Sequence, residues 1–432
     1  MSDFDDDYEI RTFPAAIDDP ATDAWFAACT LGFHGGVATP ETASGDARRA
    51  VADGRVLTGV YRREPQSDTV DADGWPVATY ETFGKSLHVG GGAMLPAHLI
   101  SGVTVQPTHR RRGILRRMIT DDLARAAKSG SAVAALTASE GTIYRRFGFG
   151  PALRERHVTI DARRPVTLLG EPTGSVELVP VARLESIAHD VFARFHARTP
   201  GSIDRHAGAW NRTLGLAIGD EEKPDRTLRG VVHRASSGDG GVGDVDGYAT
   251  YRVTETEKEA VLHVVDLVAA TDDAYLGLWR LLLSIDLVTR VTWDAAPLDD
   301  PLVHALADNR VYDVRHEEDH VWFRLLDVPA ALSARPYASD GVVTIAVSDD
   351  LGHATGTYRL TSEGGTGAVK RAAVRRADVE LDVATLGALW LGGIDPVTLA
   401  AAGLVRERRV GAVQTLRALL RPERPVYGVT YF

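Results

Sequence analysis

A mixed α/β (α+β) fold in three consecutive blocks is predicted by the order of elements along the 432 residues. A strand–helix–strand unit is legible over residues 99–137, and the same topology returns over residues 262–293. The last part of the chain reads as strands followed by helices. Strand–helix–strand units set helices against a sheet with parallel neighbours, and their recurrence is a weak internal repeat of topology.

The first block spans 1–160. Helix-like Asp23–Leu31 opens it, with Gly32 as a stop. Arg55–Arg62, Val77–Gly84 and Leu99–Val105 alternate enough to read as strands, and Gly-rich turns such as Gly90–Gly92 separate them. Ile114–Lys128 places Ile114, Leu115, Met118, Ile119, Leu123, Ala126 and Ala127 at helical spacing, and Gly130 ends it. Ala132–Thr137 is a short, continuous apolar strand of the buried kind.

The second block spans 161–325. It contains a Gly-, Asp- and Ser-rich loop, Ser236–Asp246, then strand Leu262–Leu267, helix Tyr275–Leu287 and strand Thr289–Trp293. The third block, 326–432, has strands Gly341–Val347, Gly356–Leu360 and Val379–Asp382, then helices Val383–Leu391 and Asp395–Ala402. Its end, Pro425–Phe432, is apolar and has strand character. Chain ends fray unless something ties them down, so this end is expected to be packed inside the protein.

Composition narrows the function. The net charge is -11, from 48 basic and 59 acidic residues, and only five of the basic residues are lysines. So acidic a chain is a poor non-specific binder of nucleic acid and attracts cationic small molecules. No segment approaches the roughly 18–20 apolar residues of a membrane helix, and the acidic N-terminus has no secretory signal. Cys29 is alone, which excludes an intramolecular disulfide and a Cys-based zinc site. A cytoplasmic protein with no metal is expected. Cys29 is either a small buried residue or a nucleophile.

The chemistry concentrates at Val103-Thr-Val-Gln-Pro-Thr-His-Arg-Arg-Arg-Gly-Ile114. A strand ends, and a tricationic loop with a glycine leads into a helix. The first helical N–H groups lack partners and carry partial positive charge, and Gly113 lets a ligand approach the backbone. This makes an anion cradle suited to pyrophosphate. A solvated Arg run at the start of a surface helix is the alternative. The equivalent connection of the second block, Ala270-Thr-Asp-Asp-Ala-Tyr-Leu-Gly277, is dianionic. Trp25, Phe33, His34, Phe83 and Trp390 could wall a pocket or pack a core, and His109 could be structural or catalytic.

The Arg-Arg-x-Gly-Ile turn resembles motif A of the GNAT N-acetyltransferases. More narrowly, Val105-x-Pro-Thr-His-Arg-Arg-Arg-Gly and Ala138-Ser-Glu-Gly-x-Ile-Tyr-x-Arg-Phe-Gly-Phe-Gly-Pro151 resemble the enhanced-intracellular-survival (Eis) acetyltransferases. The resemblance covers the whole chain. It implies two tandem GNAT-like domains, catalytic over 1–160 and degenerate over 161–325. A C-terminal sterol-carrier-protein-like domain over 326–432 would end in the active site. It implies acetyl-CoA as cosubstrate, bound by Val103, Thr104, Val105, Arg111, Arg112, Gly113, Ile114, Leu115 and Arg116, and by Ser139 and Glu140. Thr142 and Arg145 stand where the family has glycine, which alters the pocket rim.

The same resemblance makes Tyr144 the general acid and the α-carboxylate of Phe432 the general base. A phenol with pKa near 10 can protonate a departing thiolate of similar basicity. A core aromatic at Tyr144 and an apolar anchor at Phe432 are the competing roles. The implied acceptor is an amine of a cationic small molecule, of the aminoglycoside type, and the implied assembly is a homo-oligomer, a hexamer. Acetylation of protein or peptide lysines, and lipid carriage by the third domain, are the alternative functions.

Overall fold

The computed structural model describes residues 4–218, 222–237, 242–257, 259–373 and 376–432. Residues 238–241 of the expected Ser236–Asp246 loop lie outside them. Fourteen strands form the two large sheets. They are β1 (Tyr8–Pro14), β2 (Val56–Arg62), β3 (Ala78–Gly90), β4 (Ala93–Val105), β5 (Val133–Leu136), β6 (Gly150–Pro151) and β7 (Arg154–Asp161), followed by β8 (Ser175–Val179), β9 (Arg229–Ser236), β10 (Val242–Glu255), β11 (Ala260–Ala269), β12 (Arg290–Ala296), β13 (Tyr312–Asp319) and β14 (Trp322–Leu325).

The first sheet runs β1-β2-β3-β4-β5-β14-β6 and the second β13-β7-β12-β11-β10-β9-β8. In each, one parallel pair joins the strands of a strand–helix–strand unit: β4 with β5, and β11 with β12. The helix between β4 and β5 is Ile114–Lys128, as the apolar spacing predicts. It buries Ile114, Met118, Ile119, Leu123 and Ala126. In the second unit the helix is Asp272–Leu282, shorter than its pattern suggests. Leu287 sits at φ 67°, which a helix cannot continue through.

The sheets exchange a strand. β7, at the end of the first block, pairs with β12 and β13 in the second sheet. β14, at the end of the second block, inserts between β5 and β6 in the first. The boundaries expected at 160 and 325 therefore each leave one strand in the neighbouring sheet. The exchange ties the two domains together through backbone hydrogen bonds.

The third domain has strands β15 (Gly341–Ser348), β16 (Gly356–Glu363), β17 (Thr366–Arg371), β18 (Val379–Asp382) and β19 (Arg406–Glu407), in the order β17-β16-β15-β18-β19. Its helix Val383–Leu389 docks on the first sheet. A Cβ at Gly150 would sit 1.9 Å from the Ala384 carbonyl oxygen, so only glycine allows this approach. Arg324 of β14 pairs with Asp349 at 2.8 Å, both side chains being buried. One apolar core therefore runs from Phe83, Leu99 and Phe323 to Ile345, Trp390 and Phe432.

The C-terminal segment Pro425–Phe432, expected to have strand character, pairs with no strand among the described residues. It passes along the second domain and ends against the first. Tyr427 N donates to Pro200 O (2.8 Å), and Thr430 Oγ1 donates to Ile203 O (2.7 Å). Tyr427 packs against both apolar clusters of the second domain. The segment is held by side chains and isolated hydrogen bonds, which a period-2 pattern cannot distinguish from a strand.

Candidate active site

β4 and β5 pair in parallel from Ala97/Val133 to Ile100/Leu136 and then part. β4 continues to Val105 with Gly102 at φ 59°. The gap left by the missing hydrogen bonds opens a cavity of about 350 Å³. Ser101, Gly102 and Val103 line one side of it, and Thr137, Ser139 and Tyr144 the other. Tyr431 and Phe432 enter from the far end of the chain, and Arg55, His206 and Arg212 close the wall.

Of the expected cofactor residues, Val103 and Ser139 line this cavity together with the expected catalytic pair, Tyr144 and Phe432. Thr104 is buried, and its hydroxyl bonds Thr79 Oγ1 at 2.6 Å, so only its backbone is free to serve a ligand. Val105, Ile114 and Leu115 pack into the core of the first domain. Arg111, Arg112, Gly113 and Arg116 are exposed at the start of the helix, and Glu140 is exposed where a short helix, Gly141–Tyr144, begins.

The basic loop has the geometry of an anion cradle. Gly113 caps the helix at φ 81°, no side chain caps its first N–H groups, and no acidic residue occupies its first turn. A Cβ at Gly113 would meet nothing within 4 Å, so the space before it is open. Arg112 is tied back, donating to Tyr8 OH at 3.1 Å and to Thr108 O at 3.4 Å. Arg111 takes φ 64° and makes no ion pair among the described residues.

The second domain differs at the equivalent place. Thr271 caps the helix Asp272–Leu282, its side chain accepting from Ala274 N. Asp272 pairs with Arg198 and with Arg424 (2.7 Å), while Asp273 accepts from Thr173 N at 3.0 Å. Its helix start is already filled by the protein's own carboxylates.

Tyr144 is buried, and burial with the nearby Glu140 charge pushes its phenol up to about 12. It stays protonated at neutral pH, as a proton donor must. Phe432 is buried with its ring edge-on to Phe83, centroids 6.2 Å apart, and Thr137 Oγ1 donates to its main-chain oxygen. His206 Nε2 donates to Tyr431 O at 2.9 Å, since a carbonyl can only accept. Its Nδ1 must then accept, and it does so from Arg55 Nη2 (3.1 Å) and Ala209 N (3.3 Å). Burial and Arg55 depress the imidazole to about 4. With both nitrogens engaged, His206 holds the tail and is not a free base.

Sequence reasoning missed Arg55, Thr137, His206, Arg212 and Tyr431. Thr137 and Tyr431 adjoin segments already singled out. His206 and Arg212 come from another domain and carry no local signal. Of the open aromatics, Trp25, Phe83 and Trp390 are core, whereas Phe33 is 55% exposed and lines the cavity. His109 is buried beside Thr108. Burial raises the Cys29 thiol far above the reactive range, and it lines no part of the site.

Residues 41–152 and 201–325 each match an acetyltransferase (GNAT) domain family, and residues 328–428 match a sterol carrier protein domain family. An uncharacterized N-acetyltransferase of Streptomyces avermitilis is 36% identical over 96% of each chain. The N-acetyltransferase Eis of Mycobacterium tuberculosis is 34% identical over 79% of this chain and 82% of its own. The crystal structure of Eis1 from Mycobacterium abscessus superimposes with a TM-score of 0.80 at 29% identity, over 98% of this chain and all of that one.

Proposed function

This chain belongs to the Eis family of N-acetyltransferases, and from that premise we propose how its own residues carry the acetyl group from acetyl-CoA to an amine. The observation that carries the proposal is the meeting of Tyr144, Phe432 and the parted strands β4 and β5 in one cavity. Free peptide groups of β4 beyond Ile100 receive the pantetheine arm, and Arg111, Arg112, Gly113 and the helix start hold the pyrophosphate. The amine attacks directly in a ternary complex. Tyr144 gives its proton to the departing thiolate.

The carboxylate of Phe432 holds the amine and accepts its proton. A free α-carboxylate has pKa near 3.5, so it acts chiefly by stabilising the cationic amine unless burial raises it. Thr137, the Phe83 ring and the His206–Tyr431 hydrogen bond fix its position.

Among the described residues no side-chain carboxylate lines the cavity, and the Phe432 carboxylate is the anionic group there to receive the proposed cationic amine, of the aminoglycoside type. Closure by the tail and the second domain favours a small molecule over a lysine on a protein surface. The cavity between the first and third domains has only about 120 Å³, which does not favour a lipid cargo. A homo-oligomeric, cytoplasmic enzyme completes the proposal, with its hexameric assembly to be read from solution mass by light scattering. Thiol release from acetyl-CoA across an amine panel tests the activity, with calorimetry for stoichiometry. One acetyl-CoA per chain is expected, and two would make the central domain a second active one.

A further inference from the structure

We propose that Glu155, His157 and Glu318 form a binding site for a divalent metal ion of the zinc type, on the face of the second sheet where the exchanged strand β7 meets β13. The strand register builds the cluster. Glu155 and His157 of β7 lie directly opposite Glu318 and His316 of β13. Residues two apart on a strand share a face, so all four project from one side. Arg154, Arg156 and Glu317 take the other side, where Glu317 pairs with the two arginines at 2.7 and 3.1 Å. Two carboxylates are thus left standing opposite each other, an arrangement that destabilises a strand pair. Among the described residues their ion partners are imidazoles alone: His157 and His316 with Glu318 at 2.8 and 3.5 Å, and His320 with Glu155 at 3.4 Å.

One donor atom from each of Glu155, His157 and Glu318 lies within 4.8 Å of the other two. Zinc bonds of about 2.1 Å hold ligand atoms roughly 3.4 Å apart, so rotation of the side-chain ends closes the set. An ion would take the place of the proton between His157 Nε2 and Glu318 Oε1, which are 2.8 Å apart. The surroundings orient two of the three ligands. Asp294 Oδ1 lies 3.7 Å from His157 Nδ1, on the side of the ring away from Glu318. His320 is buried, with its ring stacked on Tyr431, its Nδ1 facing Glu155 Oε2 and its Nε2 without a hydrogen-bond partner among the described residues. A metal-bound imidazole or carboxylate engages a second partner in this way. His157 and Glu318 are partly exposed, which gives an ion a way in. Imidazole beside carboxylates selects zinc and its first-row neighbours over magnesium and calcium, which take oxygen ligands. A lone cysteine excludes thiolate zinc sites and leaves these donors open. The bound ion would pin β7, which comes from the first block, to β13 of the second.

Zinc chloride titrated calorimetrically into untagged, EDTA-stripped full-length protein tests this. One ion per chain should bind with Kd below about 10 µM, and millimolar magnesium should not compete. His157→Ala and Glu318→Gln should each weaken binding by at least about 100-fold. His189→Ala, at an exposed histidine of the helix Val181–Arg198, should leave it unchanged. The melting temperature should rise with zinc in the parent and in His189→Ala, and not in the two site variants. Weaker binding by the parent, or binding unchanged in both site variants, overturns the proposal. Crystals of the parent grown with zinc give a reading that needs no variant. Anomalous scattering should place the ion among Glu155, His157 and Glu318, and zinc found only at other residues overturns the assignment. None of these readouts involves acetyl transfer, so the proposal stands or falls apart from that reading.

Discussion

Adding one glycine after Phe432 tests the role of its carboxylate without touching a side chain. Phe432 is anchored by its ring against Phe83, and the residue before it by His206 at 2.9 Å. Neither contact involves the carboxylate charge, so the extended chain should hold Phe432 where it is. The charge itself would move by about 3.5 Å, one residue of extended chain. A misplacement of about 1 Å near reacting groups can cost roughly 10²-fold, so kcat/KM should fall at least about 100-fold. Nothing in the core changes, so stability should shift by less than about 0.5 kcal/mol. Thiol release at saturating acetyl-CoA reads the rate, and thermal unfolding reads the fold. A semisynthetic C-terminal amide, which removes the charge without moving it, should fall by a similar factor. If the extended protein turns over like the parent, the carboxylate is not catalytic and Phe432 is an apolar anchor.

Three further outcomes are expected. Tyr144→Phe should keep its packing against Phe149 (ring centroids 6.4 Å apart) and lose roughly 10²–10⁴ in kcat; unchanged kcat would remove it as the acid. Arg111→Glu should weaken acetyl-CoA binding more cleanly than Arg112→Glu, because Arg112 also supports Tyr8. Gly113→Val should weaken it too, by strain at φ 81° and by filling the open approach, and equilibrium dialysis showing parental affinity in these folded variants would refute the cradle. Glu155 is pushed up to about 7 by burial and the Glu318 charge, from 4.5. Its contribution, up to about 3 kcal/mol, is full below pH 4.5 and lost as pH rises through 7. Glu155→Gln should therefore abolish a fall in stability between pH 5 and 8 seen by urea unfolding, and an unchanged slope would exclude Glu155 as its source.

Local patterns carry much of this protein. The helix Ile114–Lys128 was legible to the residue because its apolar face repeats at 3.6 residues and glycines flank it. The open, uncapped helix start proposed as an anion cradle was legible because every part of it, the strand end, the arginines, Gly113 and the first helical turn, is contiguous. The dianionic start of Asp272–Leu282 marked the second domain in the same way. Each of these follows from interactions between residues a few positions apart.

What the chain brings together from afar had no such signal. The exchange of β7 and β14 depends on backbone pairing between segments more than 100 residues apart, and short apolar strands do not encode their partners. Pro425–Phe432 showed that it would be buried but not where, because burial is a property of composition and location a property of docking. His206 and Arg212 lie before and on an unremarkable helix, Ala207–Leu214, and reach the cavity only where the tail crosses it. The sequence by itself therefore determined the domain types and the basic loop at the helix start. The tertiary structure decided the far wall of the cavity, because Arg55, His206, Arg212 and the C-terminal residues come from three distant segments that meet only in the fold.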